Sequence, residues 1–264
     1  MKGALAIARK ELAVYFTTPV AWVTFMVVAF FAAQFFVGSL DAWRYLSLRA
    51  VETQDASVLE RMNVTDMVVA RVLGSTGVFI LLAAPFLSMR LIAEEKRTRT
   101  FELLLTAPVR PFAIVLGKYL AALGVLTAAL AIVAVFPGLL AVFARGSQGG
   151  SGIEWATVAT GFLGLFLLGA MALALGLFVS SLTESVVVAA LISLILLLAL
   201  WVVTIFATGA EGPAKELTLA LSASEHLTPF LQGRIELKDV VYYLSFVVLG
   251  LYLTDRAVEA QRWT

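Results

Sequence analysis

The residues best suited to chemistry lie in one charged stretch, residues 89–118, which reads MRLIAEEKRTRTFELLLTAPVRPFAIVLGK. The stretch carries six Lys and Arg and three Glu between two apolar runs that are long enough to cross a bilayer, so we expect it to lie in water. Glu95 and Arg99 stand at the i, i+4 spacing that favours an ion pair on a helix. Charges in this pattern are suited to ion pairing and docking rather than to breaking bonds.

The same stretch predicts a short amphipathic helix. Its polar face would contain Glu95, Thr98, Arg99, Glu102 and Thr106, and its apolar side Phe101, Leu104 and Leu105. Pro108 and Pro111 would end this helix and start the next one, because proline cannot continue a helix ladder but is accepted in a first turn. We expect the helix to lie across the mouth of a membrane domain; an ordinary solvated loop is the alternative.

Residues for catalysis are few. His226 is the only histidine, so neither an HExxH zinc motif nor a Ser–His pair inside a membrane span can form. Gly117-Lys118 resembles the end of a phosphate-binding loop, but Phe112 stands where the first glycine of that loop is required. The chain has no cysteine and no Asp in its predicted spans. We therefore expect no enzymatic activity, metal or cofactor in this chain, and we interpret His226 as a solvated or hydrogen-bonded side chain.

Composition identifies the class of protein. The chain is 61% hydrophobic and 14% charged, whereas soluble domains average about 45–50% apolar and about 25% charged residues. The net charge is +1, and no long run of like charge is present, so a nucleic-acid partner has no electrostatic support. The sequence indicates an all-α integral membrane protein.

Stretches free of charge predict six transmembrane helices, because a charge at the centre of a span is costly. They cover residues 20–40, 72–89, 119–144, 155–183, 185–210 and 240–254. The last stretch has only 15 residues and is the shortest. The fourth and fifth stretches nearly touch, so one very long helix is an alternative there.

Residues 2–18 carry Lys2, Arg9, Lys10 and Glu11 among apolar side chains that fall on one side of a helical wheel. This pattern predicts an interfacial helix that ends before Pro19. A cleaved signal peptide is the alternative, but the apolar run that follows is too long for one. The density of Lys and Arg in residues 1–19 and 90–118 places both termini on the cytoplasmic side. On the outer side, Pro213 and Pro229 divide the apolar segment 211–239, which predicts short helices dipping into the outer leaflet.

Polar residues inside the predicted spans are rare. We take Thr24 and Gln34 as candidates for a translocation path, although isolated Thr and Gln in spans more often make helix–helix hydrogen bonds. Small residues concentrate on the fourth span at Gly161, Gly164, Gly169, Ala170, Ala172, Ala174 and Gly176. They predict close packing of that helix against its neighbours.

Two stretches resemble a known family. EEKRTRTFELLLTAPVRPFAIVLGKYLA resembles the segment after the second span in type-2 ABC-exporter permeases, in particular the subgroup similar to gliding-motility and copper-processing permeases. LSASEHLTPFLQGRIELKDVVYYLSFVVLGLYLT resembles the Ser, His, Phe, Arg-Gly and Asp-Val-Val-Tyr pattern of that subgroup before its last span. The resemblance covers nearly the whole chain.

The resemblance implies a permease that works as a dimer, with a second copy of itself or a homologous permease, on two cytoplasmic ATPase subunits that bind ATP and Mg. It also implies a coupling helix after the second span. The residues that fall on the coupling pattern are Glu94, Glu95, Thr100, Glu102, Leu103, Leu104 and Pro108. Arg99 stands where the pattern has glycine, so a bend with positive φ at this position would strain it.

We therefore expect a single type-2 ABC transmembrane domain over residues 1–264, with an interfacial helix at 1–19, a six-span bundle at 20–254 and a cytoplasmic tail at 255–264. It would export a lipid-like, polymeric or amphiphilic substrate across a bacterial or archaeal cytoplasmic membrane, with accessory extracytoplasmic proteins as further candidate partners. Two alternatives stay open. One is a membrane anchor of an ATPase-energised surface machine, such as a gliding-motility complex, and the other is an intramembrane enzyme, disfavoured by the missing catalytic residues.

Overall fold

A computed structural model describes residues 2–53, 63–101, 110–143, 153–207 and 212–261. Every regular element within these ranges is a helix. The first helix, α1, spans Lys2–Thr17, and the second, α2, spans Pro19–Glu52. The bend at Thr18, immediately before Pro19, agrees with the predicted end of α1.

Helix α2 continues well past residue 40, where the first predicted span ends. Its C-terminal part carries Asp41, Arg44 and Arg49 but contains neither proline nor glycine after Gly38, so the helix continues beyond the apolar stretch. Absence of charge marks the part of a helix that suits lipid, not the whole helix. At 34 residues, α2 is roughly 50 Å long, well over the ~30 Å of a bilayer core.

The second predicted span, residues 72–89, corresponds to α3, Ala70–Ser88, and a π-helical turn at Thr65–Val69 directly precedes this helix. A one-residue turn at Met89 separates α3 from α4, Arg90–Arg97. Helix α5, Pro111–Val133, begins eight residues before the predicted third span, with Pro111 in its first turn. Helix α6, Val135–Phe143, follows it.

The fourth predicted span is α7, Trp155–Leu182, and the fifth begins as α8, Val186–Val202, followed by α9, Thr204–Ala207. Thr183 has an extended backbone, with φ −133° and ψ 155°, so the alternative of one very long helix is wrong. Helix α7 lies at the centre of the bundle. A Cβ atom on Gly164 would lie 2.6 Å from Phe230 Cβ, and one on Gly169 would lie 2.6 Å from Leu126 Cδ2. Close packing of this helix is thereby confirmed.

The segment after α9 forms α10, Pro213–Leu221, and α11, Ala223–Leu231. The expectation of short helices is confirmed, although Pro229 lies inside α11 and does not break it. The last helix, α12, spans Leu237–Ala260 and is longer than the predicted span of 15 residues. It therefore includes Asp255 and most of the segment predicted as a tail.

Five described helical stretches are long and apolar enough to cross a membrane, namely Pro19–Ala50, Thr65–Arg97, Pro111–Phe143, Trp155–Leu182 and Leu237–Ala260. Val186–Val202 is apolar but shorter, with 17 residues. Of the five longer stretches, α7 has the largest share of buried residues in its most apolar part, and α2 and α12 have the smallest. The helices pack around α7, and this bundle supports the charged segment that joins α3 to α5.

Candidate functional site

Helix α4 is attached to α7 through the Ser180 side chain. The Ser180 hydroxyl accepts hydrogen bonds from the backbone N–H groups of Ile92 (3.2 Å) and Ala93 (3.1 Å) and donates to the carbonyl of Met89 (2.9 Å). Ser180 is fully buried. One hydroxyl thus satisfies the backbone groups that the break between α3 and α4 leaves free.

A buried ion triad joins α1, α4 and α5. The Lys118 ammonium lies 2.7 Å from Glu95 Oε1 and 3.2 Å from Glu11 Oε1. The Lys118 side chain is 1% exposed, so the expectation that all of residues 89–118 lie in water is wrong for this residue. Lys118 is accepted inside because two carboxylates compensate its charge.

Close contact between α1 and α5 supports this triad. A Cβ atom on Gly117 would lie 2.7 Å from the Ala4 carbonyl oxygen, so only glycine lets α1 approach this far. The Tyr15 hydroxyl donates to the Leu87 carbonyl at the end of α3. Burial raises the pKa of Tyr15, which keeps this hydroxyl protonated as a donor. Helix α1 is therefore fixed to α3 and α5 as well as to α4.

The other end of α4 is held by Lys96, whose ammonium donates to the Ser181 carbonyl near the C-terminal end of α7. A cation at this position complements the negative end of the α7 dipole. The Phe101 ring lies 6.0 Å from the Lys96 ammonium, and its side chain is buried. Burial of Phe101 agrees with the predicted apolar side of the stretch.

Helix α4 ends earlier than the predicted amphipathic helix. Its last residue is Arg97, and Arg99 has a φ of 56°, in the left-handed region. The Thr100 N–H donates to the Glu95 carbonyl at 3.0 Å and closes the turn. Glu95 pairs with Lys118 and not, as predicted, with Arg99. Arg99 lies beyond the end of α4, so it does not stand one helical turn from Glu95. The bend lies at the position where the family pattern has glycine.

The predicted coupling residues divide into four groups. Glu94 is partly exposed and forms a two-point ion pair with Arg90 at 2.6 and 2.9 Å. Glu95 points inward to the triad, whereas Arg99 and Thr100 are exposed in the turn. The remaining members, Glu102, Leu103, Leu104 and Pro108, lie outside the described residues.

Strain at Arg99 gives a testable prediction. A non-glycine residue in the left-handed region costs roughly 1–2 kcal/mol, so Arg99→Gly should raise the stability of the turn and of the protein. Arg97→Gly is the matched control, because it places glycine in the last turn of a right-handed helix, where it costs up to about 1 kcal/mol. Thermal unfolding of the purified variants should show shifts of opposite sign. Equal shifts would contradict the assigned backbone conformation.

The two candidate path residues differ in their surroundings. Thr24 is 5% exposed and donates its hydroxyl to the Val20 carbonyl one turn earlier, at 2.9 Å. Gln34 is exposed in a groove between α2 and α3 that also contains Arg71. Of the two side chains, only that of Gln34 is exposed.

Sequence reasoning missed the contacts made by Glu11, Lys118 and Ser180. Lys118 directly follows Gly117 and directly precedes the apolar run that starts at Tyr119, and such a position is compatible with close helix packing. The pairing of Glu11 with Lys118 joins residues 107 positions apart, however, and no local pattern reveals it. In the described part of the chain, no group of three or more Asp, Glu or His is placed to hold a metal ion.

Comparison with known proteins gives one family. A family model described as "ABC-2 family transporter protein" matches residues 5–259. A search of curated proteins found no significant match. The matched residues include nearly all of α1 to α12, and therefore every anchor of α4 described above.

Proposed function

The chain belongs to the ABC-2 family of transporter proteins, and from this premise we propose that it is the permease subunit of an exporter whose ATPase subunits drive it through α4 and the turn that follows. The observation that carries the proposal is the attachment of α4. Ser180, Lys118 and Lys96 join this eight-residue helix to α7, α5 and α1. A displacement of α4 must therefore displace three other helices.

This attachment explains how a force applied outside the membrane would reach the bundle. The exposed part of the junction is the turn at Thr98, Arg99 and Thr100, which leads into residues 102–109. An ATPase that pushes on this turn would move α4 as a rigid body, because the triad and the Ser180 contacts hold both sides of the helix. Movement of α7, the most buried of the spanning helices, would then change the packing of the whole bundle.

In this proposal ATP and Mg bind the separate ATPase subunits, and this chain does not hydrolyse ATP. Six helices cross a bacterial or archaeal cytoplasmic membrane, with both termini and α4 on the cytoplasmic side. The whole chain forms one domain, in which α1 lies at the membrane interface. The subgroup similar to gliding-motility and copper-processing permeases is the proposed nearer relationship, with accessory extracytoplasmic proteins as candidate partners.

We also propose that two copies, or this chain and a homologous permease, form the central interface through the first and fifth spans. Helices α2 and α8 both pack against α3 and expose large apolar side chains. These include Trp22, Met26, Phe30, Val187, Leu191 and Ile195. Single cysteines at Gln34 and Ile195 should cross-link between copies in native membranes; cross-linking from α7 alone would assign the interface elsewhere.

The coupling role predicts a specific defect in Glu102→Arg. Charge reversal should uncouple ATP hydrolysis from substrate export while the membrane domain stays folded, because Glu102 follows the anchored helix and falls on the coupling pattern. The measurement is substrate-stimulated ATPase activity together with export in proteoliposomes. Arg44→Glu, a charge reversal on the exposed outer part of α2, is the control that should keep both activities.

Two results would change the assignment. Unchanged ATPase binding, hydrolysis and export in Glu102→Arg would remove residue 102 from the coupling site. Hydrolysis by the wild-type complex without export of any amphiphile would favour the alternative of a membrane anchor that energises a surface machine.

A further inference from the structure

A groove between α2 and α3 combines a cation with polar and apolar side chains. Its volume is about 580 Å³, and its lining consists of Gln34, Phe35, Gly38, Ser39, Arg71 and Ser75. Residues from the two helices face each other at one-turn spacing, so the groove follows the seam between them. It lies toward the end of the bundle opposite α4.

Arg71 is the charged group of this groove. Its side chain is exposed, and none of the ion pairs in the described ranges involves it. Arg71 lies 18 residues before Met89 along the α3 direction, roughly 27 Å at the helical rise. This distance places the guanidinium near the far boundary of a bilayer core about 30 Å thick. At such a boundary an anionic partner is both accessible and weakly screened.

Further along the seam between α2 and α3, the surface becomes apolar. Past Phe35, Phe31 stacks on Phe79 with ring centroids 4.0 Å apart. Beyond these rings lies a second groove of about 460 Å³, lined almost wholly by apolar side chains, including Val27, Leu82 and Phe86. A polar, cationic end and an apolar remainder thus lie on one line along α2 and α3.

We infer that this seam binds one anionic amphiphile, with its phosphate or carboxylate head group on Arg71 and an acyl chain lying past Phe79 into the apolar groove. Arg71 and Phe86 are 15 residues apart, roughly 22 Å along the helix. One leaflet of hydrocarbon is about 15 Å deep, half of the bilayer core. The seam is therefore long enough for an extended chain whose head group stays at the boundary.

The chemistry of the seam selects this class of ligand. The Arg71 guanidinium can donate two parallel hydrogen bonds to a phosphate or carboxylate, and Gln34 and Ser75 supply further donors. A zwitterionic lipid brings a cation of its own next to Arg71, and a water-soluble anion leaves the apolar groove unfilled. An anionic lipid satisfies both parts. Binding of the lipid needs no ATPase. Only the interpretation of the groove as a substrate site rests on the proposed function.

The test is native mass spectrometry of the purified chain with phosphatidylglycerol and phosphatidylcholine of identical acyl chains. The wild type should retain one phosphatidylglycerol per chain, with roughly tenfold preference over phosphatidylcholine. Arg71→Gln should lose the preference, because the amide cannot form the charged pair. Arg44→Gln removes an exposed arginine from α2 outside the groove and should keep the preference.

A second pair of variants tests the shape of the groove. A Cβ atom on Gly38 would have no neighbour within 4 Å, so Gly38→Phe should fill the groove and displace the lipid without disturbing the fold. Gly138 on α6 is equally open and lies outside both grooves, and Gly138→Phe should leave lipid retention unchanged. Retention of head-group preference in Arg71→Gln, or of lipid in Gly38→Phe, would overturn the inference.

The remaining outcomes separate the rivals. Competition by inorganic phosphate as effective as that by phosphatidylglycerol would show an anion site without a chain groove and would overturn the amphiphile assignment. Retention of a second protein copy instead of lipid, lost in Gly38→Phe, would show that the neighbouring permease at the α2 interface fills the groove in place of a lipid, and it would overturn the inference as well. If the wild type and the variants retain lipid as predicted but no lipid is exported, the binding site stands and only its role in transport is rejected.

Discussion

Lys118→Met should lower the free energy of unfolding by about 3–5 kcal/mol, because it leaves two carboxylates in a buried site without their counter-ion. The Lys118 ammonium lies 2.7 Å from Glu95 and 3.2 Å from Glu11, and its side chain is 1% exposed. Met preserves most of the volume, so the loss is electrostatic rather than a cavity. Thermal unfolding followed by tryptophan fluorescence would measure it.

Two controls separate charge from packing. Lys10→Met removes a lysine that is 67% exposed and 3.6 Å from the same Glu11, and it should change stability by less than about 1 kcal/mol. The triple variant Glu11→Gln, Glu95→Gln, Lys118→Met removes all three charges and should recover much of the loss, because neutral replacement of a buried ion set is often tolerated. No recovery would mean that the triad is needed for its hydrogen bonds rather than its charge balance.

The same variant should weaken coupling. Without Lys118, Glu95 on α4 and Glu11 on α1 repel each other, and α1 loses one of its attachments to α4. We expect ATP hydrolysis by the complex to continue while export falls. Simple unfolding would lower both activities and would leave the ratio of export to hydrolysis unchanged.

The sequence predicted most helices but not their contacts. Pro19 marked the end of α1, and the small residues of α7 marked the helix that others approach closely. These signals are local: proline restricts its neighbours, and glycine removes side-chain volume. They depend only on residues within a turn or two, so contacts with distant parts of the chain do not change them.

Two predicted spans began too late because charged residues were taken as their limits. Absence of charge was used to find spans, so the third span was predicted to begin after Lys118 and the sixth after Asp239. Both residues lie inside helices because each has a partner from another helix, Glu11 and Glu95 for Lys118 and His226 for Asp239. A charge paired in this way no longer needs water, and the partner is invisible in a local pattern.

The coupling stretch shows the same limit. Its location followed from composition and resemblance, and the bend at Arg99 agrees with the glycine of the family pattern. The i, i+4 spacing nevertheless predicted the wrong partner for Glu95, because a pair on one helix is worth only about 0.2–0.5 kcal/mol. A buried contact with Lys118 outweighs it.

A second large effect is expected at Asp239, which joins α12 to α11. Asp239 Oδ1 lies 2.6 Å from His226 Nδ1, and His226 Nε2 lies 3.2 Å from the Ala220 carbonyl. A carbonyl can only accept, so Nε2 must carry a proton, and the pair is satisfied only when another proton lies between Nδ1 and Oδ1. The Tyr242 ring stacks on the imidazole at 4.0 Å and closes the site.

Asp239→Ala should therefore destabilise the protein by about 3–5 kcal/mol, the range for breaking a buried pair, and should loosen α11 from α12. Asp239→Asn should behave differently. An amide N–H can donate to Nδ1 of a neutral imidazole whose Nε2–H still reaches Ala220, so the geometry survives without the shared proton. The buried Oδ2 of Asp239 has no hydrogen-bond partner, so its replacement leaves no further bond unmade.

The contrast between these two substitutions is the measurement. Hydrogen exchange at the backbone of α11 should increase strongly in Asp239→Ala and stay close to wild type in Asp239→Asn. Lys238→Ala changes the preceding residue, whose side chain is 69% exposed, and should have little effect. Equal exchange in the Ala and Asn variants would mean that α11 is held by the Tyr243 hydroxyl, which donates to the Ala223 carbonyl at 2.8 Å, and not by the His226–Asp239 pair.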